Sequence, residues 1–435
     1  MTSQQQRLQQ QRLQQRQKQR TATAPHPVDA TRRVPNSLNS MFTKLSSWTK
    51  LDSRSRLRIL DVILNCALLT PLAVLFQVSA SGVQDALFLN RVSGHVGTAL
   101  LLAIAFVIEF GCSFWQKYLA SIRYVSERLP HDPSYVVTTR FYHFAIGFAN
   151  VCHYRGLSDI YYYLLGYGSY AAIQATVSTI VVLSTLKCIR NILGPPLSVG
   201  VDVTIENFFE AGTLFRTRDD AHYRYFADHV STVTVVTSLC FLHWIAVWAF
   251  FDCVIFPENT AVSVILSWLF GYVIVVMALL VEPLAVRFSR QLDARGGRSM
   301  KLLLEDAFLV LANSGVILVW RAHWIFFESL MYYFPIYSGQ LDLTAFYGLA
   351  GSFLMMVMLH ASATLILKGC DFDGELPEGR GVSFGIDYFG EFFKDHIARQ
   401  EGAMVDGDAY KTEDLQRFSD LDQGWSNIRH KKTTS

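Results

Sequence analysis

The sequence predicts an all-α polytopic membrane protein with eight transmembrane helices, arranged as two parallel four-helix repeats. Three observations support this fold class. Of the 435 residues, 51% are hydrophobic and only 17% are charged, whereas a soluble protein carries about 25% charged residues. The apolar residues fall in runs of about 20 residues, which is the length of a membrane span. The basic residues cluster in alternate connecting segments.

Eight apolar runs are each long enough to cross the hydrocarbon core of a bilayer. That core is about 30 Å thick, and a helix rises about 1.5 Å per residue. Isolated strands are excluded because they would leave backbone groups unpaired in lipid. The third run is the least hydrophobic. The runs occupy 59–79, 95–115, 136–160, 168–187, 231–252, 261–282, 306–330 and 343–367.

The distribution of Lys and Arg tests this count independently, since the cytoplasmic segments of membrane proteins are enriched in both. With the N-terminus placed in the cytosol, every predicted inner segment is basic. The predicted outer segments 79–94, 253–260 and 334–342 contain Arg91 as their one basic residue. We therefore expect eight spans with both termini in the cytosol.

Five regions follow from this pattern. Residues 1–57 form a Gln- and Arg-rich arm whose low complexity predicts a disordered cytosolic segment. The first repeat covers 58–190 and the second covers 231–368, with a cytosolic linker loop at 191–230 between them. Residues 369–435 form a mixed-charge cytosolic tail.

The sequence offers little that is typical of catalysis or cofactor binding. It contains neither HExxH nor a Walker loop. Its seven cysteines include no CxxC pair, which argues against a zinc site or a disulfide framework, so we interpret them as small core residues. We expect no enzyme activity, no cofactor, no metal and no nucleic-acid partner. We expect the protein to be embedded in the lipid bilayer.

Two sequence blocks recur at the inner ends of the second and sixth spans. In FVIEFGCSFWQKYL (106–119) and ALLVEPLAVRFSRQL (278–292), a glutamate precedes a basic residue by eight positions. These pairs are Glu109 with Lys117 and Glu282 with Arg290. Because each unit has an even number of spans, the two units would share one orientation and form parallel repeats. Chance similarity between apolar helices is the alternative.

Arg155 in the third span and Arg321 in the seventh occupy equivalent positions, in the outer third of the membrane. One interpretation is that both side chains snorkel to the outer headgroups. The other is that each pairs with a carboxylate. Asp159 lies four residues after Arg155 and Glu328 lies seven residues after Arg321, in each case on the same helix face. A pair across the two halves is a further option.

Four more polar residues lie toward the inner ends of spans. Asp61 and Asn65 share one face of the first span, and Glu109 and Glu282 recur in the second and sixth spans. An interfacial salt bridge with a neighbouring arginine is the simpler interpretation of Asp61. The alternative is a cation or proton site that includes one of the glutamates.

The motifs around the two arginines resemble those of the Fuseless family of eight-pass animal membrane proteins. In the second motif, WRAHW, Trp320, Arg321 and Trp324 follow the family pattern, whereas alanine stands in place of glycine. In the first motif, YRGLSD, Arg155 is kept and Tyr154 replaces a tryptophan. The resemblance covers about 58–368.

The resemblance implies a non-enzymatic protein of the presynaptic plasma membrane that supports neurotransmission. It also implies partners among presynaptic scaffold and calcium-channel proteins, through the organisation of calcium channels at release sites. The alternative function is a secondary transporter or channel for a small solute or ion, which parallel repeats and paired intramembrane charges are typical of.

Overall fold

The computed structural model describes the helical part of the chain and several connecting segments. The predicted N-terminal arm up to residue 52 and the predicted tail beyond residue 390 lie outside the described residues. The described residues are 53–89, 92, 94–119, 133–202, 209, 211–217, 222–338, 341–367, 369–371, 373 and 381–390.

Helices account for most of this part of the chain. The first long helix of each half contains a π-helical segment, Asn65–Leu69 in the first half and Thr232–Thr237 in the second. A further π segment, Asp85–Leu89, ends the first long helix. The α-helices are α1 Ser53–Leu64, α2 Thr70–Gln84, α3 Gly94–Phe114, α4 Pro133–Leu165, α5 Ser169–Leu186, α6 His222–Ser231, α7 Ser238–Val254, α8 Thr260–Ala294, α9 Arg298–Tyr333 and α10 Thr344–Met358.

Six helical stretches are long and apolar enough to cross a membrane, by length and composition, and they indicate an integral membrane protein. Two of the eight predicted spans fall outside this set. The third corresponds to α4, which is 33 residues long but less apolar, and the eighth to α10, which has 15 residues. The six stretches are Arg56–Leu89, Gly94–Phe114, Ser169–Leu186, His222–Val254, Thr260–Ala294 and Arg298–Tyr333.

The eighth predicted span is shorter than its apolar run. The run extends to residue 367, but α10 ends at Met358, followed by His360 with φ of 51°. A short 3-10 turn, Ser362–Leu365, comes next. The run stays apolar past the end of the helix because its last residues are buried in the bundle, and hydropathy alone does not distinguish that burial from a membrane span.

Local signals place several helix ends. Asn259 caps α8, since its side chain accepts a hydrogen bond from the Val262 amide at 3.1 Å, as a short polar side chain at this position does. At the other end of the bundle, α5 stops at Lys187, whose φ is 57°. The Cys188 amide then donates to the Leu183 carbonyl at 2.8 Å, which satisfies a terminal helix carbonyl.

The helices pack in neighbouring pairs around one core. The closest pairs are α3 with α4, α8 with α9, α2 with α10 and α5 with α7, and α4 with α7 and α2 with α9 also touch. Side chains from seven of these helices, all except α3, and from the turn after α5 share the largest cluster of buried apolar residues. Examples are Phe76, Leu183, Ile192, Val316 and Met356.

A short hairpin connects α9 to α10. Tyr337–Ser338 pairs antiparallel with Leu341–Asp342. The Leu343 amide donates to the Ile336 carbonyl at 2.8 Å, which closes the hairpin at its base. Within the described residues, these two strands form the only sheet.

Two glycines let α8 and α9 approach closely. A Cβ on Gly315 would lie 2.6 Å from Ile274 Cγ2, and a Cβ on Gly271 would lie 2.8 Å from the Val319 backbone nitrogen. Small residues at such crossings allow backbones to touch, which is how membrane helices gain packing energy. By contrast, a Cβ on Gly351 of α10 would meet no atom within 4 Å.

We predict that Gly315→Ala lowers the melting temperature of the detergent-solubilised protein by several degrees, because α8 and α9 must separate. Gly351→Ala on α10 is the matched control, and it is expected to leave the melting temperature unchanged or to raise it slightly, since alanine is a better helix former than glycine. Equal effects of the two substitutions would contradict the close contact at Gly315.

Candidate functional site

Arg321 is held by two neighbouring helices. It is 4% exposed on α9, and its Nε donates to Asp252 Oδ1 at 2.6 Å near the end of α7. Its Nη atoms donate to Ser267 Oγ at 2.8 Å and Ser263 Oγ at 3.0 Å, both on α8. The buried guanidinium therefore has a carboxylate and two hydroxyls as partners, which offset the cost of removing it from water.

Arg155 has a corresponding arrangement on α4. It donates to Asp85 Oδ1 at 2.9 Å and to Ser81 Oγ at 2.5 Å, both toward the end of the first long helix. The side chains of Arg155 and Asp85 are 33% and 37% exposed. The two carboxylates are similarly accessible, since Asp252 is 43% exposed, but the Arg321 side chain is only 5% exposed. We therefore expect the Arg155 pair to contribute less to stability, because its guanidinium is the more solvated one.

The carboxylate partners differ from those expected from the sequence. Asp159 accepts a hydrogen bond from Thr98 Oγ1 at 2.8 Å, and Glu328 is exposed on α9. Spacing along one helix indicated these two acids. The arginines instead take Asp85 and Asp252, because a neighbouring helix brings these carboxylates directly to the guanidinium groups.

The acids at the other end of the bundle hold a segment that follows α10. Glu282 accepts hydrogen bonds from Arg58 Nη2 at 2.5 Å and from the Phe384 amide at 3.3 Å. Asp61 accepts from the Phe389 amide at 2.8 Å. The salt bridge expected at Asp61 therefore forms at Glu282 instead, and Asp61 anchors backbone from the beginning of the predicted tail.

Asn65 lies in the first π segment and is fully buried. Its backbone carbonyl accepts from Thr70 Oγ1 at 2.7 Å. Among the described residues, neither polar atom of its side chain has a hydrogen-bond partner. The structure therefore does not join Asn65 to Asp61 in a common polar site.

Glu109 belongs to a buried chain of hydrogen bonds that links the two halves. Its Oε2 lies 2.8 Å from His153 Nδ1, and His153 Nε2 lies 2.9 Å from Ser238 Oγ. The three residues come from α3, α4 and α7. Because α7 belongs to the second half, this chain connects the halves through polar groups inside the bundle.

A GxSxG spacing occurs in GVSFG, residues 381–385. In hydrolases this motif lies on a sharp turn between a strand and a helix, whereas here the segment makes one isolated bridge, from Gly385 to Ser198. The Ser383 hydroxyl contacts Glu282, and the Ser383 carbonyl accepts from Arg190 at 2.7 Å. We interpret this segment as structural.

Asp202, in the segment after α5, caps the 3-10 turn after α10. Its Oδ2 accepts from the Ser362 amide at 3.0 Å and its Oδ1 accepts from the Ala363 amide at 2.7 Å. Its own amide donates to the His360 carbonyl at 2.7 Å. Arg140 of α4 also forms an ion pair with this carboxylate.

Asp373, in the segment after α10, caps the turn after α5 in the same way. Its Oδ2 accepts from the Ile189 amide at 2.5 Å and its Oδ1 accepts from the Arg190 amide at 3.0 Å. Its own amide donates to the Lys187 carbonyl at 2.8 Å. We call Asp202 and Asp373, with the turns that they cap, the crossed caps.

The sequence carries only a weak signal for the crossed caps. Each aspartate follows a short helix by little more than a dozen residues, in VGVDV and CDFDG. This recurrence is the available signal, but an isolated aspartate in a loop is too common to predict its partner. Two thiols reinforce the contact between the same segments, with Cys188 Sγ 3.0 Å from Cys370 Sγ.

The carboxyl group of Asp373 has an unusual protonation equilibrium. Burial, followed by the nearby Asp306 carboxylate, raises the pKa of Asp373 from its ordinary value of 3.8 to about 7. The amides of Ile189 and Arg190 act in the opposite direction because they stabilise the charged form. Asp373 therefore changes its charge close to neutral pH.

A cavity of about 650 Å³, which we call the central cavity, is lined by residues of both halves, including Arg190 and Ala363 of the turns in the crossed caps. This volume is in the range of cavities that bind small molecules. Residues of the segments that follow α5 and α10 form part of its wall. Its aromatic wall consists of Tyr154, Phe241, Trp244, Trp248, Trp320 and Trp324.

The aromatic residues of both sequence motifs therefore line the same cavity. Trp320 lies edge-on to Trp244, with ring centroids 5.3 Å apart, and Trp324 lies edge-on to Trp248 at 5.9 Å. Tyr154 contacts Phe241 at 6.2 Å. Beside each motif aromatic, an arginine pairs with an aspartate, so the motif joins a cavity wall to an ion pair.

In the part of the chain that the structure describes, no three His, Cys, Asp or Glu side chains are grouped closely enough to bind a metal ion. The long apolar helices indicate an integral membrane protein of the helical-bundle class.

The Fuseless family pattern matches residues 56–366, which is well over half of the chain, and the chain belongs to the Fuseless family. The resemblance drawn from the sequence motifs is thereby confirmed. No curated protein matches the chain, and no solved structure does.

We predict that Arg321→Gln lowers the free energy of unfolding by roughly 1–3 kcal/mol, because the buried hydroxyls of Ser263 and Ser267 and the partly exposed Asp252 lose a charged partner. Arg155→Gln is expected to cost less, since its ion pair is more exposed. Glu328→Gln is the control and should change stability by less than about 0.5 kcal/mol. Urea unfolding in mild detergent measures all three, and equal losses would contradict the assignment of partners.

We predict that Asp373 makes stability depend on pH. Between about pH 4 and 7 the folded state holds the Asp373 proton more tightly than the unfolded state, so stability falls as pH rises through this window. Asp373→Asn does not titrate, so the melting temperature of the wild type relative to this variant should fall between pH 5 and 7.5. Glu258→Gln controls for the loss of one surface charge, and parallel curves for Asp373→Asn and wild type would contradict the prediction.

Proposed function

We propose that this Fuseless family member spans the membrane eight times as two parallel four-helix repeats, with both termini in the cytosol. The helix contacts support the repeat. The α3–α4 pair corresponds to α8–α9, α2–α10 corresponds to α7–α5, and α4–α7 corresponds to α9–α2. A twofold axis along the membrane normal relates such pairs.

Local features support the same correspondence. The π segments Asn65–Leu69 and Thr232–Thr237 lie at matching positions in the first helix of each half. α5 and α10 both end with a left-handed residue, Lys187 or His360, followed by a 3-10 turn. Chance similarity of apolar helices does not explain shared irregularities, because irregular backbone is set by specific contacts.

We predict the topology from this repeat. Epitope tags placed at the N-terminus, at the C-terminus and within 295–297 should be labelled only after permeabilisation, whereas tags within 256–258 and 334–336 should be labelled on intact cells. A cytosolic marker protein controls for intact membranes. Labelling of the N-terminus on intact cells, or labelling of 256–258 and 334–336 on opposite sides, would exclude the eight-span arrangement.

We propose further that the protein acts at the presynaptic plasma membrane and supports neurotransmission without enzymatic activity. Membership of the Fuseless family over residues 56–366 is the observation that carries this proposal. Presynaptic scaffold and calcium-channel proteins are the proposed partners, and the cytosolic segments are where they would bind.

The test is deletion of the gene in neurons, with wild-type rescue as the control. Evoked transmission is expected to fall while the postsynaptic response to applied transmitter stays normal. Calcium channels should also be less concentrated at release sites. Normal evoked transmission and normal channel density after deletion would overturn the presynaptic proposal.

A second function is favoured by the cavity, and we propose it as the alternative: binding and translocation of a small solute. Transporters place their substrate sites where interrupted helices expose backbone at membrane depth. Here α5 and α10 stop short, and residues of the irregular segment after each helix, such as Leu193 and Thr364, line the central cavity. Flux into proteoliposomes that contain the purified protein tests this function.

A further inference from the structure

The aromatic wall of the central cavity presents ring faces and edges and few N–H donors. Trp320 Nε1 donates to the Pro195 carbonyl at 2.6 Å, and Trp244 Nε1 donates to the Ile192 carbonyl at 2.7 Å. The Trp248 indole donates to Asp252. These three indoles therefore have no N–H left for a ligand, and they offer the negative potential of their π systems, which attracts cations.

The charges that line the cavity also favour a cation. Asp371 and Asp387 line it and are exposed. Arg190 is the one arginine or lysine among the described lining residues, and its guanidinium donates to the Gly381 carbonyl at 2.8 Å and the Ser383 carbonyl at 2.7 Å. Two carboxylates therefore face the cavity with one cation that is already held by backbone.

Asn150 provides a buried acceptor among the residues that line the cavity. It is 3% exposed and lies on α4 among the lining residues. Its Nδ2 donates to the Leu367 carbonyl at 3.3 Å, whereas its Oδ1 is buried without a hydrogen-bond partner in the described structure. A buried carbonyl oxygen without a donor costs free energy, and a ligand N–H would remove that cost.

We propose that the central cavity binds an organic amine in its protonated form. The ammonium group donates a hydrogen bond to Asn150 Oδ1 and lies against Trp324 and Tyr154. The hydrocarbon part of the amine packs among the remaining rings, and Asp371 and Asp387 raise the local concentration of cations at the cavity. This inference deepens the proposed solute-binding function, and it rests on that function only for the cavity being a ligand site.

The first experiment compares three ligands of one shape. Calorimetry on the full-length protein in nanodiscs measures the binding of 2-phenylethylamine, 2-phenylethanol and 3-phenylpropionate at pH 7. The amine is expected to bind saturably and at least tenfold more tightly than the alcohol or the carboxylate. Equal affinities, tighter binding of the carboxylate, or no binding of the amine would overturn the proposal.

The second experiment tests the named residues. Trp324→Leu and Asn150→Leu are each expected to weaken binding of the amine at least fivefold, since each removes an interaction with the ammonium group. Trp268→Leu is the matched control, because Trp268 packs on His323 and Phe326 outside the cavity lining. Unchanged affinity in both cavity variants would overturn the proposal.

If Trp324→Leu or Asn150→Leu fails to fold, substitution of the two exposed acids still tests the proposal. Asp371→Asn and Asp387→Asn change exposed side chains, so the double variant is expected to fold, to bind the amine more weakly and to show a smaller dependence of affinity on salt. An affinity and salt dependence equal to those of the wild type would contradict the part assigned to these acids.

The failure of this inference and the failure of the transport proposal are distinguishable. Saturable amine binding in nanodiscs without amine flux in proteoliposomes supports the ligand class and contradicts translocation. Flux of 3-phenylpropionate without flux of the amine supports translocation and overturns the ligand class.

Discussion

The reciprocal capping by Asp202 and Asp373 of the turns after α10 and α5 is the interaction on which the cavity depends. Asp202 follows α5 and caps the turn after α10, whereas Asp373 follows α10 and caps the turn after α5. Each carboxylate accepts two backbone amides, and the aspartate amide returns a hydrogen bond to the residue that ends the helix. Backbone groups at the ends of helices need such partners, because buried N–H and C=O groups without a hydrogen bond cost free energy. Each half thus stabilises an irregular segment of the other half.

This exchange positions the chemistry of the cavity. The Ile192 and Pro195 carbonyls, which orient Trp244 and Trp320, lie on the segment whose beginning Asp373 caps. Arg190 joins the same segment to the carbonyls of Gly381 and Ser383, and Glu282 and Asp61 fasten the chain a few residues further on. The polar groups at this end of the bundle therefore act mainly on backbone. The N–H groups of Trp244 and Trp320 are hydrogen-bonded to this backbone, so the two rings contribute apolar surface to the cavity wall.

The parts of this fold that sequence predicts are those for which composition and spacing carry the information. Long apolar runs predicted eight membrane-spanning helices, and six helical stretches in the described structure are long and apolar enough to cross a membrane. The placement of Arg155 and Arg321 against the charge rule indicated two sites of special structure. The partners of these arginines were not predictable, because Asp85 and Asp252 lie at helix ends and no pattern shows which helices are neighbours. The end of α10 at Met358 was also not predictable. The residues after it are apolar because they are buried in protein, and hydropathy does not distinguish them from residues of a membrane span.

The arginine–aspartate pairs and the crossed caps connect different parts of the bundle around the cavity. Near the ends of α2 and α7, Arg155 and Arg321 tie α4 and α9 to the first helix of their own half. At the crossed caps, each half holds the other. The Ile189 and Arg190 amides after α5 donate to Asp373 in the segment after α10, and the Ser362 and Ala363 amides after α10 donate to Asp202 in the segment after α5. The crossed caps therefore join the segments that follow the two short helices, whereas the arginine pairs join the long helices of each half. A ligand that presses on the aromatic wall acts on both halves at once, because that wall contains residues from α4, α7 and α9.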